Sequence, residues 1–188
     1  MESLKKLCGK KLTFEFGTLN FEKEDVLFFE KKVLARLHWK PSYLLSSKGP
    51  FKERLKKSHS LLAEGHVKEG KWALIKSGFL NRKITVKKGS TTAASVVYNQ
   101  RHQYEINFEN KRKFILRSAR FGTRIILETD SKKQILTLTA KVFKSIKRGR
   151  NIANFKIDSS FSELKELPVL VLIVLYITRL MTLDTWAL

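Results

Sequence analysis

Polar and apolar residues alternate along most of this chain. In KKLTFEF, Leu12, Phe14 and Phe16 fall on one side and Thr13 and Glu15 on the other, the period-two pattern of a half-buried strand. GTLN follows as a turn. DVLFFE and KKVLARLHW come next, with Val33, Ala35, Leu37 and Trp39 alternating with Leu34, Arg36 and His38. From Lys71 onward the pattern is almost wholly that of strands: WALIK, FLNRKITVK, TTAASVVYN, YEINF, RKFILRS, TRIILET, QILTLTA, KVFKS and IANFKI. Turn signals separate most of them, among them Lys88-Gly89-Ser90, Asn99-Gln100, Glu109-Asn110, Phe121-Gly122, Thr129-Asp130-Ser131 and Arg148-Gly149. Short strands at intervals of about 8–12 residues, without strand–helix alternation or a fixed-period repeat, predict a mainly β fold. The expected architecture is an antiparallel β-barrel or sandwich with meander connections.

Two segments break the alternation. Residues 41–70 contain two of the three prolines and few β-branched residues. Pro50 suits the first position of a helix and Gly65 the position just past its end, so a short amphipathic helix between loops is expected, an insertion in the sheet. Phe51, Leu55, Leu62 and His59 fall near one face of it, and packing against the sheet is preferred to a lid or a membrane-touching helix.

The second segment is ELPVLVLIVLYITRLM, which starts at Glu166. Ser160 and Glu163 stand at capping-box spacing, Pro168 can open a helix, and Glu163 and Glu166 precede a start where the helix dipole favours negative charge. A helix over 161–183 is expected. A bilayer needs roughly 20 apolar residues in a row. Here Arg179 and Asp184 interrupt the tail, so a buried helix is preferred and a tail anchor is the alternative. A helix that is apolar all round must be surrounded. The chain therefore reads as one domain over 1–188, a barrel enclosing its own C-terminal helix.

The late strand NIANFKIDSS and the following FSELKELPVLVLIVLYITRL, at the end of a β-rich chain, resemble the tubby-like C-terminal superfamily. That superfamily includes tubby proteins, phospholipid scramblases and LURP-one-related proteins. The resemblance implies a closed antiparallel barrel around a hydrophobic C-terminal helix. It covers most of the chain as an order of elements, and Asn151 to Leu180 in residue texture. It carries over no ligand-contacting residue.

Charge changes the picture most. The chain of 188 residues has a formal net charge of +21 and a pI near 10.2, yet 43% of it is hydrophobic. It should fold and present a positive surface suited to polyanions. The candidate anion-binding residues are Arg82, Lys83, Lys87, Lys88, Lys111, Arg112, Lys113, Arg117, Arg120, Lys147, Arg148 and Arg150, most of them beside predicted turns. If neighbouring turns meet at one barrel rim, these side chains converge and hold phosphate by multidentate Arg contacts and Lys point charges. Anionic lipid headgroups are the preferred partner, on the resemblance. Nucleic acid is the rival, with Tyr104, Phe108 and Phe114 as a stacking platform among basic residues.

Catalytic chemistry has no visible carrier. His38, His59, His66 and His102 show no metal-ligand spacing, CGKK lacks the glycines of a phosphate loop, and no nucleophile motif occurs. A non-enzymatic binding module without metal or cofactor is expected. Cys8 is the sole cysteine, the N-terminus has no apolar signal segment, and no N-x-[ST] acceptor occurs. These features suit a cytoplasmic protein, peripheral at a membrane.

Overall fold

The computed structural model describes residues 3–17, 24–40, 61–76, 83–99, 103–119, 124–141 and 150–184. Twelve strands follow one another: β1 Lys11–Gly17, β2 Asp25–Phe29, β3 Lys32–Trp39, β4 Leu61–Val67, β5 Gly70–Lys76 and β6 Lys83–Lys88 in the first half, then β7 Thr91–Tyr98, β8 Gln103–Phe108, β9 Lys113–Ala119, β10 Arg124–Thr129, β11 Gln134–Lys141 and β12 Arg150–Ile157. A 3-10 turn, Leu4–Leu7, precedes them, and a second, Ser159–Phe161, leads to the helix α1, Leu167–Asp184. Each strand pairs antiparallel with its sequence neighbours, and β1 pairs with β12, which closes the barrel. The meander expected from the alternation is therefore present, closed on itself, and no sheet edge is left exposed.

Alternation decides what faces in. Leu12, Phe14 and Phe16 of β1, Leu116 of β9 and Phe155 of β12 point into the lumen with almost no exposure. Small register shifts, as between Leu27 and Phe28 of β2, let Leu34 and Ala35 both be buried on β3, where strict alternation would expose one of them.

The lumen holds α1. Every residue from Leu167 to Leu180 is buried, whichever face of the helix it lies on. Twelve strands about 4.8 Å apart and tilted by about 40° close on a diameter of about 24 Å. A helix with its side chains takes up about 10–12 Å of that, leaving room on each side for one layer of inward strand residues. The apolar run of α1 is thus the central part of the core, and no helix among the described residues is long and apolar enough to cross a membrane. Most outward strand positions carry polar or charged side chains such as Lys, Arg, Glu and Thr, with Val97 and Ile152 exposed among them.

The few polar groups inside the lumen are held. Thr178 Oγ1 donates to the Val174 carbonyl at 2.7 Å. Tyr176 stacks on Trp39 with ring centroids 5.0 Å apart. Trp39 Nε1 donates to Asp25 Oδ2 at 2.6 Å, and the Gly17 amide donates to Asp25 Oδ1 at 2.9 Å. Arg179 Nε stands 3.8 Å from the same Asp25 carboxylate, both side chains fully buried.

Two expectations about boundaries change. Residues 41–60 lie outside the described residues, but the upper part of the expected insertion, 61–70, is strand: Leu61–Val67 forms β4 and Gly70 opens β5. Ala63, Gly65 and Val67 face inward while Glu64 and His66 face out. Gly65 sits within a strand and ends no helix. A Cβ there would come within 2.8 Å of Leu172 Cδ1, so at this glycine the sheet backbone approaches α1 closely. The C-terminal helix begins at Leu167, later than 161, because Asp158 caps the 3-10 turn and accepts from the Ser160 amide at 2.9 Å. Ser160 therefore opens no capping box. The rest of KVFKS beyond Lys141 lies outside the described residues.

Candidate anion-binding rim

In an antiparallel meander, alternate connections lie at opposite ends. The turns β2–β3, β4–β5, β6–β7, β8–β9 and β10–β11 share one end of the barrel. The start of α1 and the first 3-10 turn lie at the same end, as three contacts show: Arg112 Nη1 and Asn110 Nδ2 donate to Glu166 at 2.8 and 2.7 Å, and Ser3 Oγ donates to Glu69 Oε1 at 2.8 Å. We call this end the hairpin rim and its opposite the far rim.

The hairpin rim is built from short turns. Those of β8–β9 and β10–β11 share one geometry. The Phe108 amide bonds the Arg112 carbonyl at 3.0 Å, and the Thr129 amide bonds the Lys133 carbonyl at 2.9 Å. In each, the third loop residue is left-handed: Lys111 at φ +64° and Lys132 at φ +62°. This is the three-residue hairpin loop that favours glycine at that position. Glu30 at φ +54° and Gly89 at φ +60° serve the turns β2–β3 and β6–β7.

Each of the five turns carries at least two cations. The segments 30–32, 68–71, 87–90, 109–113 and 130–133 hold eleven Lys and Arg residues against four Asp and Glu. Lys31, Lys32, Lys68, Lys71, Lys132 and Lys133 are exposed, as are Lys88, Lys111, Arg112 and Lys113. Lys88 Nζ lies 5.2 Å from the centroid of the Trp72 ring, where the π face attracts it. Where the turns end, between β12 and β1, Lys11 and Lys156 are register partners, and both are exposed.

Away from this rim, several cations face carboxylates. Arg36 meets Glu24 at 2.8 Å, Arg117 meets Glu128 at 2.7 Å, and Lys40 bonds Glu64. The Lys40 hydrogen bond holds the Glu64 carboxyl below its ordinary range.

Against this geometry the sequence-derived candidates divide. Lys87, Lys88, Lys111, Arg112 and Lys113 stand on the hairpin rim, with Arg112 also bound to Glu166. Lys83 opens β6 at the far rim, and the backbone of Arg150 opens β12 there. Arg117 lies on the wall and is paired. Arg82, Arg120, Lys147 and Arg148 lie outside the described residues. The expected single convergence is therefore corrected: the strands flanking these residues end at both rims, because a meander alternates its turns. Lys31, Lys32, Lys68, Lys71, Lys132 and Lys133 were missed. Their signal was each one's place beside every second turn.

The aromatic platform is corrected too. Phe114 is buried, Phe108 meets it edge-on at 5.6 Å, and Tyr104 and Phe108 pack against the core. Phe114 is thus closed to a base, and Tyr104 and Phe108 are partly covered by the core. Among the described residues no three His, Cys, Asp or Glu side chains stand together as metal ligands. Comparison with family models, with curated proteins and with solved structures returns no match to this chain.

Proposed function

We propose that this protein is a non-enzymatic binding module for anionic phospholipid at a membrane face. One observation carries the reading: five hairpin turns, each with two or more cations, gather on one rim with few carboxylates among them. Exposed lysines near an anionic bilayer contribute about 1 kcal/mol each, and here many act at one end of the molecule. The order of elements that resembles tubby-like proteins supports the same reading. Nucleic acid would use the same charge, but of the three candidate stacking rings Phe114 is buried and Tyr104 and Phe108 are partly covered by the core, which favours the lipid reading.

Competition tests the reading. Vesicles containing anionic lipid and a mixed-sequence oligonucleotide are offered together to the full-length protein at physiological salt. Preference for vesicles is expected. Preference for the oligonucleotide sinks the lipid reading in favour of nucleic acid, and binding to neither sinks both. Salt dependence alone does not separate them, since screening weakens lipid binding and counterion release weakens nucleic-acid binding.

A further inference from the structure

The charges of the hairpin rim lie around a circle. Each hairpin spans two strands, so successive tips stand about 12 Å apart on a rim about 24 Å across. Each of the five tips carries an exposed lysine, and Lys11 and Lys156 fill the sixth interval. A single headgroup reaches one interval of such a circle. A plane of headgroups reaches every tip at once.

Fold stability does not call for lysine at these positions. Lys11 and Lys156 are like charges placed opposite each other across two strands, an arrangement that destabilises a sheet. Lys111 and Lys132 occupy left-handed backbone that glycine adopts without steric penalty. A polyanion facing the rim gives these choices a reason. The strands, five to eight residues long, hold the far rim about 15–20 Å away, roughly two Debye lengths at physiological salt.

We infer that the barrel docks end-on to an anionic bilayer, hairpin rim against the headgroup plane, and reads surface charge density in preference to the stereochemistry of one headgroup. This rests on the lipid-binding reading above. In this pose the start of α1 faces the bilayer, and the ends of β3 and β4 that residues 41–60 join face away from it.

The test uses charge-matched pairs in the full-length chain. Lys132→Gln with Lys133→Gln removes two exposed charges from the hairpin rim. Lys83→Gln with Arg124→Gln removes two exposed charges from the far rim. Thermal unfolding confirms that both fold, and Lys31→Gln with Lys32→Gln stands in should the first rim pair fail to. Binding is measured by co-sedimentation with phosphatidylcholine vesicles containing rising fractions of phosphatidylserine. At about fivefold per lysine, the rim pair weakens binding about thirtyfold. The far-rim pair, screened by distance, changes it by less than about threefold. Equal losses show dependence on net charge alone and overturn the end-on pose, and a larger loss from the far-rim pair overturns it by reversing the orientation. In a second arm, phosphatidylglycerol replaces phosphatidylserine at the same fraction, and binding stays within about twofold. A tenfold preference for either lipid overturns the charge-density reading while leaving lipid binding intact. Wild-type protein that ignores all anionic vesicles overturns lipid binding itself, a result separate from either of these.

Discussion

Lys132 occupies backbone, at φ +62°, that an L side chain enters at a cost of roughly 1–2 kcal/mol. Glycine would remove that cost and give back part of it as extra freedom of the unfolded chain. Lys132→Gly should therefore raise stability by about 0.5–1 kcal/mol in urea unfolding while weakening binding to anionic vesicles about fivefold. Opposite signs in the two measurements would mark a residue kept for its charge. Asp25 has the contrary character. It accepts from Trp39 and Gly17 and faces Arg179 inside the lumen, where burial lowers the Arg179 pKa and the Asp25 charge opposes that shift. Asp25→Ala removes the carboxylate that faces the buried Arg179 and accepts from Trp39 and Gly17, and should cost about 3–5 kcal/mol. Glu24→Ala, which removes a part-exposed carboxylate facing Arg36 and His38, should cost less than about 1 kcal/mol in the same assay. Tyr176 gives a pH signature. Burial raises its pKa well above the ordinary value, opposed by a hydrogen bond with the Lys76 backbone. As pH rises past about 10, the unfolded chain releases this phenolic proton and the folded chain keeps it. Stability from this group is therefore whole below about pH 10 and falls above it, by up to about 1.4 kcal/mol per pH unit. Tyr176→Phe should lose this part of the alkaline slope, so its stability curve converges on the wild type as pH increases.

At the scale of elements, the approach of β4 to α1 constrains the sequence at Gly65. Gly65→Ala would press a methyl group to within 2.8 Å of Leu172 Cδ1, and overpacking of that kind costs about 1–3 kcal/mol. Leu172→Ala in the same chain should relieve the clash, so the double variant should be more stable than the two single losses would sum to in a double-mutant cycle. The same contact explains what could be read from the sequence and what could not. β1, β6 and β12 announce themselves by alternation, because one face of each meets the core and the other meets water. α1 announces itself by being apolar on every side. β4 does not: its inward residues are Ala63, Gly65 and Val67, and two of these are too small to show a β pattern. They are small because the helix is close, a fact of packing that no local window contains. The misreading also hides the hairpin rim. A meander alternates its ends, so one strand left out assigns every later turn to the wrong rim. The lysine pairs are plain in the sequence, while their common location depends on counting all twelve strands.

At the scale of the molecule, the cations of the described residues are partnered at several places on the wall and far rim and crowded and exposed on the turns of the hairpin rim. The arrangement of the core has a separate result, which concerns how the protein is made. Pairing of Lys11–Gly17 with Arg150–Ile157 closes the barrel, and the helix that fills it follows both. During synthesis, all twelve strands emerge with their apolar faces not yet covered by the helix. At about 5–20 residues per second they stay so for many seconds before the filling helix exists. Contacts between such distant parts of the chain also form slowly, because loop closure precedes the contacts that reward it. Arrested nascent chains ending at residue 165 should be digested readily by protease, whereas chains extended past residue 188 by a flexible linker should resist it. Early resistance at residue 165 would show a stable barrel without its filling helix. The nascent strands thus stay open to mispairing with one another until translation has passed the helix, so the period of synthesis is when this barrel is most exposed to aggregation.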